Sequence, residues 1–398
     1  MSSTPHDGSF DATLASSAAG AGTMPPIASA TGSRAAAVLP RPRITQAGVE
    51  VVSAGRPRYE KVKRLGEGSF GEVELCVDTD IDRRVALKRL KPEMHDADTV
   101  ARFASEIQTV GRLEHPGIVP VHDVGLDDRG YFFVMKYVEG ETLEHILDKL
   151  RAKDPVAVTR FSVEARAELF LQLCRAVQFT HAQGWVHRDI KPANVMVGPY
   201  GEVMLMDFGL AKRIGAAEAA MKEGGGEAYT GTMLGHALGT PGYMSPEQAR
   251  GVHDRTAARS DVYSLCAVFF ELLGLQHYLG PKPSIDALLQ AVIHEAPMGP
   301  LAMHHKLGVP PEFAWLIARG LEKDPAKRYD SAAALAQRVQ AALEGRAPVQ
   351  CPCTGLKRAG GGWSRFIDAH PNLAVTAAIL GTASALFGVF SAVRMVLG

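Results

Sequence analysis

The sequence lacks an excess of charge, a disulfide-like set of cysteines and an internal repeat. Lysine plus arginine equals aspartate plus glutamate, at 43 each, which disfavours a nucleic-acid partner recognised through bulk charge. Five cysteines are an odd number in 398 residues and do not make a disulfide framework. Because Cys76, Cys174 and Cys266 fall in apolar segments, the composition fits a reducing compartment.

Residues 1–57 lack any hydrophobic period. They are rich in Ala, Ser, Gly and Pro with scattered apolar residues, a composition that predicts a disordered arm. No basic start precedes an apolar run there, so we do not expect a secretory signal.

Charged residues are absent from "NLAVTAAILGTASALFGVFSAV", residues 372–393. As a helix this segment is about 33 Å long, which matches a bilayer core of roughly 30 Å. A buried core helix is the alternative, but core helices of this length without one charge are uncommon. We therefore predict a transmembrane helix over 372–393, after a linker over 344–371 and before a short tail over 394–398.

The charges that flank this segment predict its orientation. Lys357, Arg358 and Arg365 precede it, whereas Arg394 follows it. Positive residues concentrate on the cytoplasmic side of a span, so we expect a single-pass protein of the cell membrane with its large N-terminal part in the cytoplasm.

Two further features of this end have only weak implications. Small residues recur at every fourth position of the span, which would allow a homodimer, although alanine-rich spans show this spacing by chance. Cys351 and Cys353 in "CPC" lack partners for a zinc site, and we expect free thiols in a linker, with lipidation or redox roles as lesser alternatives.

The central segment, residues 59–343, changes character along its length. Strand-like runs come first, in "YEKVKRLG", "GEVELCVD", "RRVALKRL", "GIVPVHDVGL" and "GYFFVMKYV". Beyond Leu143 the pattern is mostly helical, as in "ARAELFLQLCRAVQFTHAQ". The sequence therefore predicts an α+β fold with two unequal lobes, one β-rich and one α-helical.

A glycine-rich turn lies between the first two strand-like runs. In "LGEGSFGEV", Gly66, Gly68 and Gly71 would let backbone N–H groups approach phosphate oxygens. A dinucleotide fingerprint needs a helix directly after the glycines, but "EVELCVD" alternates like a strand. A flap over phosphates and a glycine-rich hairpin without a ligand both remain open at this point.

Lys88 ends the apolar strand "VALK" and would be half-buried beneath that flap. An unpaired buried cation is costly, so Lys88 requires an anion. The segment "DTVARFASEIQTVGRL" supplies one, because Glu106 lies beside the apolar face of a predicted helix rather than far out in solvent. An ordinary exposed helix glutamate is the alternative.

Asp207 follows an apolar strand in "MLMDFGLAK" and precedes Phe208 and Gly209. A carboxylate at a strand end is a natural ligand for a hard cation, and Asn194 offers a second oxygen on the same short hairpin. Two protein oxygens, completed by phosphate and water, suit Mg²⁺ better than a metal caged entirely by protein.

A short loop, "GWVHRDIKPANVMV", places polar residues at fixed offsets between two strand-like ends. Pro192 prevents a helix there, so Asp189, Lys191 and Asn194 would lie on a tight loop. Alone, such a loop could be a simple turn.

Six motifs together resemble the protein kinase catalytic domain. "GEGSFGEV", "VALK", "HRDIKPAN", "DFG", "SPE" and "DVYSL" occur in the order and spacing of that family, over about 285 of the 398 residues. The chain resembles most the eukaryotic-type Ser/Thr kinases of bacteria, many of which join a cytosolic kinase to one membrane span.

The resemblance implies a nucleotide site for ATP between the lobes. The glycine-rich turn would cover the phosphates. The segment "VMKYV" would be the hinge, with Met135 as gatekeeper and the backbone at Lys136 and Val138 hydrogen-bonding the purine. The implied nucleotide contacts are Leu65, Gly66, Glu67, Gly68, Ser69, Phe70, Gly71, Glu72, Val73, Ala86, Lys88, Lys136, Val138 and Met196.

The resemblance also implies catalytic and metal-binding roles. Lys88, paired to Glu106, would hold the α- and β-phosphates, and Asp189 would accept or orient the proton of the attacking hydroxyl. Lys191 would neutralise charge on the moving phosphoryl group. The implied ligands of Mg²⁺ or Mn²⁺ are Asn194 and Asp207.

The same resemblance indicates the acceptor and some supporting contacts. Lys191 in "KPAN" and the segment "GTPGYMSPE", with Thr240 and Ser245, point to protein Ser/Thr hydroxyls. Glu247 would form a buried pair with Arg328. Three further assignments are a core role for His187, an anchoring role for Asp261 under the catalytic loop, and a tolerated replacement of the family's usual glycine by Cys266.

Regulation is expected in the long, glycine-rich segment between Asp207 and Glu247. Thr230 or Thr232 would be autophosphorylated, and Arg188 could pair with the added phosphate. An unphosphorylated, solvated loop is the alternative. Two other functions compete: a pseudokinase, which normally loses one of the site residues, and a small-molecule kinase, which the segment through "SPE" disfavours.

Overall fold

The computed structural model describes residues 41–45, 48–52, 57–67, 71–91, 97–214, 241–252, 257–346 and 348. The predicted transmembrane helix at 372–393, Thr230, Thr232, Thr240 and the two linker cysteines lie outside these residues. Within the described part of the chain, no helix is long and apolar enough to cross a membrane.

A two-stranded antiparallel hairpin precedes the central segment. Strand β1 covers Arg41–Thr45 and β2 covers Gly48–Val52, and they pair with each other. These residues fall inside the range predicted to be a disordered arm, and the hairpin was not anticipated. The short runs "RPRIT" and "GVEVV" contain β-branched residues but too few for a clear period.

The first lobe is built on a five-stranded antiparallel sheet with strand order β3-β4-β5-β7-β6. Its strands are β3 (Tyr59–Glu67), β4 (Gly71–Asp78), β5 (Arg83–Leu90), β6 (Val121–Asp127) and β7 (Gly130–Lys136). Helix α1 (Ala97–Val110) lies against this sheet, where Phe103 contacts Phe133 with ring centroids 5.3 Å apart. The predicted β-rich first lobe is confirmed.

The second lobe is mainly helical, as predicted. Its helices are α2 (Leu143–Arg151), α3 (Pro155–Arg160), α4 (Val163–Ala182), α5 (Pro246–Ala249), α6 (Ala257–Gly274), α7 (Ile285–His294), α8 (Pro300–Leu307), α9 (Pro311–Gly320) and α10 (Ala332–Leu343). Helix α6 is the centre of the lobe, because residues 260–273 are all buried. Phe170 of α4 and Phe269 of α6 stack with centroids 4.0 Å apart.

Local sequence explains where several of these helices begin. Ser162 caps α4 by accepting a hydrogen bond from Ala165 N, and Ser245 caps α5 in a reciprocal capping box with Gln248. Ser331 caps α10 by accepting a hydrogen bond from Ala334 N. These serines satisfy N–H groups that the first turn of a helix leaves unpaired.

Short strands bring the functional loops to the junction between the lobes. They are β8 (Glu141–Thr142), β9 (Trp185–Val186), β10 (Val195–Val197), β11 (Val203–Leu205) and β12 (Lys212–Arg213). Strand β10 pairs with β8 and β11, while β9 pairs with β12. The chain before β6 joins this layer, because Val119 N donates to Leu205 O at 3.1 Å and Leu205 N donates to Gly117 O at 2.8 Å.

Cys266 occupies the middle of α6 directly beneath Gly320 of α9. A Cβ placed on Gly320 would lie 2.0 Å from Cys266 Sγ, so only a residue without a side chain fits at 320. The thiol at 266 is therefore accommodated by a glycine on the facing helix. The expectation that Cys266 is tolerated has a structural explanation in this pair.

Candidate active site

The loop from His187 to Lys191 is held by a carboxylate beneath it. Asp261 on α6 is fully buried, and its oxygens accept from the backbone N–H groups of His187 and Arg188, each at 2.9 Å. His181 Nε2 lies 2.8 Å from the same carboxylate. Burial alone would raise the pKa of Asp261, but the hydrogen bonds from His181 and from the backbone of His187 hold it below its usual value.

Within this loop, Asp189 is oriented by two side chains that follow it. Lys191 Nζ donates to Asp189 Oδ2 at 2.8 Å, and Asn194 Nδ2 donates to the same oxygen at 2.9 Å. Asn194 also donates to the Asp189 carbonyl at 2.8 Å. The three residues that the sequence placed at fixed offsets therefore form one contact group, because the turn Pro192–Asn194 is 3₁₀-helical.

His187 supports the loop from below. It is fully buried, its Nε2 lies 3.2 Å from the Met206 carbonyl, and its Nδ1 accepts from Asp189 N at 3.2 Å. Burial lowers its pKa, which favours the neutral ring that these two contacts require. The edge of Phe208 contacts the ring with centroids 4.5 Å apart. The predicted core role of His187 agrees with this geometry.

Lys88 connects the two lobes. Its Nζ donates to Glu106 Oε1 at 2.6 Å and to Asp207 Oδ1 at 3.4 Å. Burial opposes the charge on Lys88, but the two carboxylates raise its pKa above the usual value. The ammonium group in turn lowers the pKa of Asp207. The predicted pair is thus present, and Lys88 reaches a residue more than a hundred positions away in the other lobe.

Asp207 is presented at the end of β11 in a left-handed backbone conformation. Its φ is 64°, which short acidic side chains tolerate better than bulky ones. The side chain remains 46% exposed, whereas the following Phe208 is buried. Gly209 lies beside it, and the backbone beyond is anchored because Ile214 N donates to Gly184 O at 2.8 Å.

A match to a family model decides what this arrangement is. Residues 59–339 match the model of the protein kinase domain. This chain belongs to the protein kinase family.

Comparison with curated proteins gives relatives of the same kind. A probable serine/threonine-protein kinase of Streptomyces coelicolor is 34% identical over 324 residues, covering 80% of this chain and 44% of that protein. Serine/threonine-protein kinase PknA of Mycobacterium tuberculosis is 37% identical over 307 residues, covering 75% and 64% respectively. PknB of Mycolicibacterium smegmatis is 35% identical over 297 residues, covering 73% and 44%. The chain thus spans less than half the length of two of these relatives.

The kinase domain has an apolar cluster beside the hinge, around residues that the resemblance assigned to the purine. This cluster is rich in methionine: Met204 is buried with Val119 and Val138, and Met135, Met196 and Met206 pack against them. Ala86 is buried nearby on β5, where it pairs with Met135. Met204 and Met206 were not among the predicted contacts, because nothing in a strand pattern shows which side chains reach a distant pocket.

One of the two expected hinge contacts, the backbone of Lys136, has its N–H group already hydrogen-bonded within the protein. The backbone N–H of Lys136 donates to the Pro120 carbonyl at 3.1 Å, so this donor is used within the protein. The expected backbone contact of Lys136 with a purine would therefore use its carbonyl oxygen as an acceptor. Val138 lies two residues further on and is buried with Val119 and Met204.

The glycine-rich turn of the kinase domain is described at both ends. Gly68, Ser69 and Phe70 lie outside the described residues, whereas Leu65, Gly66 and Glu67 end β3, and Gly71, Glu72 and Val73 begin β4. Gly71 has a specific requirement, because an added Cβ would lie 2.3 Å from the Arg89 carbonyl oxygen. Gly66 has open space around its Cβ position, as a loop that closes over a ligand would allow.

The predicted buried pair between Glu247 and Arg328 is also present. Arg328 donates to Glu247 Oε1 at 2.7 Å and to Oε2 at 2.9 Å, and both residues are buried. Ser260 donates to Glu247 Oε1 at 2.6 Å. Three contacts around the site were not predicted: that of His181 with Asp261, and those of Glu271 with Tyr243 and with Arg151. The only sequence signal for His181 is its position on the last turn of a predicted helix.

Proposed function

We propose that the protein is an ATP-dependent serine/threonine kinase that transfers the γ-phosphoryl group to hydroxyls of protein substrates. The observation that carries this proposal is the position of Lys88, which contacts Glu106 in one lobe and Asp207 in the other. A nucleotide whose purine lies beside Met135 would place its phosphates near this ammonium group, because Lys88 lies two residues beyond Ala86, which pairs with Met135. The family membership and the serine/threonine kinases among the relatives support the reaction.

The donor set fits a divalent cation held jointly with a nucleotide. Asp207 offers a half-exposed carboxylate whose pKa is lowered. Asn194 is close to it in space, because Met206 N, one residue before Asp207, donates to the Asn194 carbonyl at 3.0 Å. Within the described residues no group of three or more His, Cys, Asp or Glu could hold a metal alone. Mg²⁺ or Mn²⁺, when bound with ATP, would neutralise charge on the phosphates.

The chain's own residues account for orientation and proton handling. Lys191 and Asn194 both hold Oδ2 of Asp189, which leaves Oδ1 to accept the hydrogen of an attacking hydroxyl. Lys191 is close enough to turn toward the transferred phosphoryl group and stabilise its charge. Phosphoryl transfer depends mainly on such positioning and charge stabilisation, so small polar groups fixed by Asp261 are sufficient.

Transfer of label from γ-labelled ATP tests this proposal. Asp189→Ala should lower the rate about 10²–10⁴-fold while leaving nucleotide binding in place, because it removes the proton acceptor. Lys88→Met should weaken both binding and transfer. Asp148→Ala, on an exposed side chain of α2, serves as the matched control and should change neither. Label transfer at the wild-type rate by Asp189→Ala would refute the assignment, and binding without transfer by the wild type would indicate a pseudokinase.

The acceptor class needs its own comparison. Purified protein substrate and aminoglycoside-type small molecules can be offered in parallel, followed by phosphoamino-acid analysis. We expect phosphoserine and phosphothreonine on protein. Phosphorylation of the small molecule alone would favour the small-molecule kinase alternative.

We further propose that the kinase domain is tethered to the cell membrane through residues 372–393 and faces the cytoplasm. The absence of charge over this segment and the positive residues before it support the proposal. A chain that ends at residue 371 should move from the membrane fraction to the soluble fraction. Recovery of both chains in the same fraction would contradict it.

We also propose that the kinase autophosphorylates at Thr230 or Thr232. Both threonines lie between Asp207 and Glu247, and Arg188 follows a buried histidine at the base of that segment. Phosphopeptide mapping of the active protein should find one of these residues modified, and the modification should disappear in Asp189→Ala. Phosphorylation found only at other residues would contradict autophosphorylation at Thr230 or Thr232.

A further inference from the structure

Tyr200 is an exposed aromatic side chain on a well-ordered turn. It is 95% exposed and lies between β10 and β11 on the side of the second lobe. The turn is closed by several hydrogen bonds: Gly198 N donates to the Glu202 carbonyl at 2.9 Å, and Tyr200 N donates to Glu202 Oε2 at 3.0 Å. The exposure of the ring is therefore built into the turn and does not arise from a lack of local contacts.

Helix α3 joins this turn and adds a second apolar side chain. Arg160 donates to the carbonyls of Gly198 and Pro199, each at 2.9 Å, and so fixes the end of α3 against the turn. Val156 lies one helical turn before Arg160 on the same side and is 74% exposed. Val156 and Tyr200 together make an apolar surface that no described residue covers.

The neighbouring surface on α4 is acidic. Glu164 and Glu168 are exposed and lie one turn apart. Gln172, the next residue on that stripe, donates to the Gly201 carbonyl at 3.0 Å and accepts from Val203 N at 3.3 Å. The acidic stripe thus ends at the turn that carries Tyr200. We refer to Val156, Tyr200, Glu164 and Glu168 as the Tyr200 surface.

The C-terminal end of α10 directs the following chain toward this surface. Ala333 N near its start donates to Gln178 on α4 at 2.9 Å, and Arg175 donates to Gln340 near its end at 3.4 Å. Helix α10 therefore runs antiparallel to α4, toward the end where Gln172 contacts the turn. The described chain ends shortly afterwards, at residues 346 and 348.

The segment that follows has complementary chemistry and sufficient reach. Residues 357–367, "KRAGGGWSRFI", combine Lys357, Arg358 and Arg365 with Trp363 and Phe366. Its first residue lies nine positions beyond 348, a span of about 30 Å when extended. The stripe from Glu164 to Gln172 is about 12 Å long. A short tether would keep the local concentration of this segment near the millimolar range.

We propose that residues 357–367 bind the Tyr200 surface of the same chain. Trp363 and Phe366 lie on Val156 and Tyr200, and Lys357 and Arg358 lie beside Glu164 and Glu168. The segment is the continuation of the chain whose exit the structure shows, and its basic and aromatic residues match the acidic and apolar parts of the surface. This contact would restrict how the kinase domain is oriented relative to whatever follows the linker. The inference does not depend on the proposed catalytic function.

Disulfide trapping in the full-length chain tests the proposal directly. In a Cys351→Ser, Cys353→Ser background, Tyr200→Cys combined with Phe366→Cys should form an intramolecular disulfide under mild oxidation. The control combines Phe366→Cys with Leu301→Cys, an exposed apolar site on α8. We expect the first pair to cross-link about tenfold faster than the control. Equal cross-linking rates for the two pairs would mean that residues 357–367 do not bind the Tyr200 surface, and would overturn the proposal.

A charge exchange distinguishes specific binding from general proximity. Lys357→Glu with Arg358→Glu should reduce cross-linking toward the control rate, and adding Glu164→Lys with Glu168→Lys should restore it. Failure of this restoration would contradict the proposed alignment. Val158 is 50% exposed but lies on another side of α3, so Val158→Ser should have no effect whereas Val156→Ser should reduce trapping.

Two other occupants give different results in the same experiment. A second copy of the chain would produce intermolecular disulfides whose yield rises with protein concentration. A lipid surface would make trapping fall when vesicles of anionic phospholipid are added. Either result, in place of a concentration-independent intramolecular product, would overturn the proposal. Label transfer from ATP should be unchanged in Val158→Ser and Val156→Ser, which separates this surface from the catalytic site.

Discussion

Removing one partner of the Glu247–Arg328 pair should strongly destabilise the kinase domain. Glu247→Gln leaves the Arg328 guanidinium buried, with its side chain fully inaccessible, and replaces a carboxylate that accepts at 2.7 and 2.9 Å by a neutral amide. Breaking a buried ion pair from one side costs about 3–5 kcal/mol. Arg328 keeps contacts with the carbonyls of Glu322, Arg259 and Lys323, so we expect the lower end of this range.

Thermal unfolding of the full chain measures this cost. For a domain of this size, about 3–5 kcal/mol corresponds to a fall in Tm of about 6–10 °C. Asp330→Asn is the matched control, because Asp330 also pairs with an arginine, Arg259, but is 81% exposed. Exposed pairs contribute about 0–1 kcal/mol, so the control should shift Tm by no more than about 2 °C. Equal shifts for Glu247→Gln and Asp330→Asn would refute the reasoning.

The same pair predicts a pH dependence. Burial opposes ionisation of Glu247, but the hydrogen bonds from Arg328 hold its pKa below the usual 4.5. A carboxyl group with a lowered pKa in the folded state stabilises that state above its unfolded pKa, and this stabilisation is lost as pH falls through the folded value. The difference in stability between wild type and Glu247→Gln should therefore be constant near neutral pH and shrink below pH 4.5.

Three further predictions concern packing and charge elsewhere in the domain. Gly320→Ala should lower Tm because its Cβ would lie 2.0 Å from the thiol and 2.8 Å from the Cβ of Cys266, and Cys266→Ala, which removes only the closer contact, should restore part of the loss in a double variant; no restoration at all would exclude the thiol contact as the cause. Gly71→Ala should weaken ATP binding measured by calorimetry, since the new Cβ would collide with the Arg89 carbonyl at the base of the glycine-rich turn, and unchanged affinity would contradict that. Burial lowers the pKa of Lys323 to about 8, so stability should rise with pH between about 8 and the usual 10.5, and the Tm of Lys323→Met should lack this rise.

Much of the fold was predictable because the two lobes have different hydrophobic periods. The runs from Tyr59 to Lys136 alternate as strands do, and the structure contains strands in the corresponding places. The contact between Lys88 and Glu106 was also predictable, since a buried lysine requires an anion and one helix offered it.

Other parts of the site depend on tertiary contacts that have no local signal. Met204 and Met206 join the cluster around Val119 and Val138 beside the hinge only because β10 and β11 pair there, and no local pattern distinguishes them from other core residues. The hydrogen bond from Lys136 N–H to the Pro120 carbonyl forms because Pro120, directly before β6, lies opposite Lys136 in the sheet. His181 reaches Asp261 because α4 and α6 lie side by side, which a periodicity cannot show.

The attachment of the catalytic loop to Asp261 has a consequence for ligand binding. Arg188 sits in a left-handed conformation, with a φ of 70°, and the carboxylate below it fixes this otherwise unfavourable backbone. The loop is thus preorganised by the core of the second lobe before any substrate arrives, and its ordering entropy is spent during folding. Binding energy from a nucleotide then remains for drawing the lobes together instead of shaping the loop.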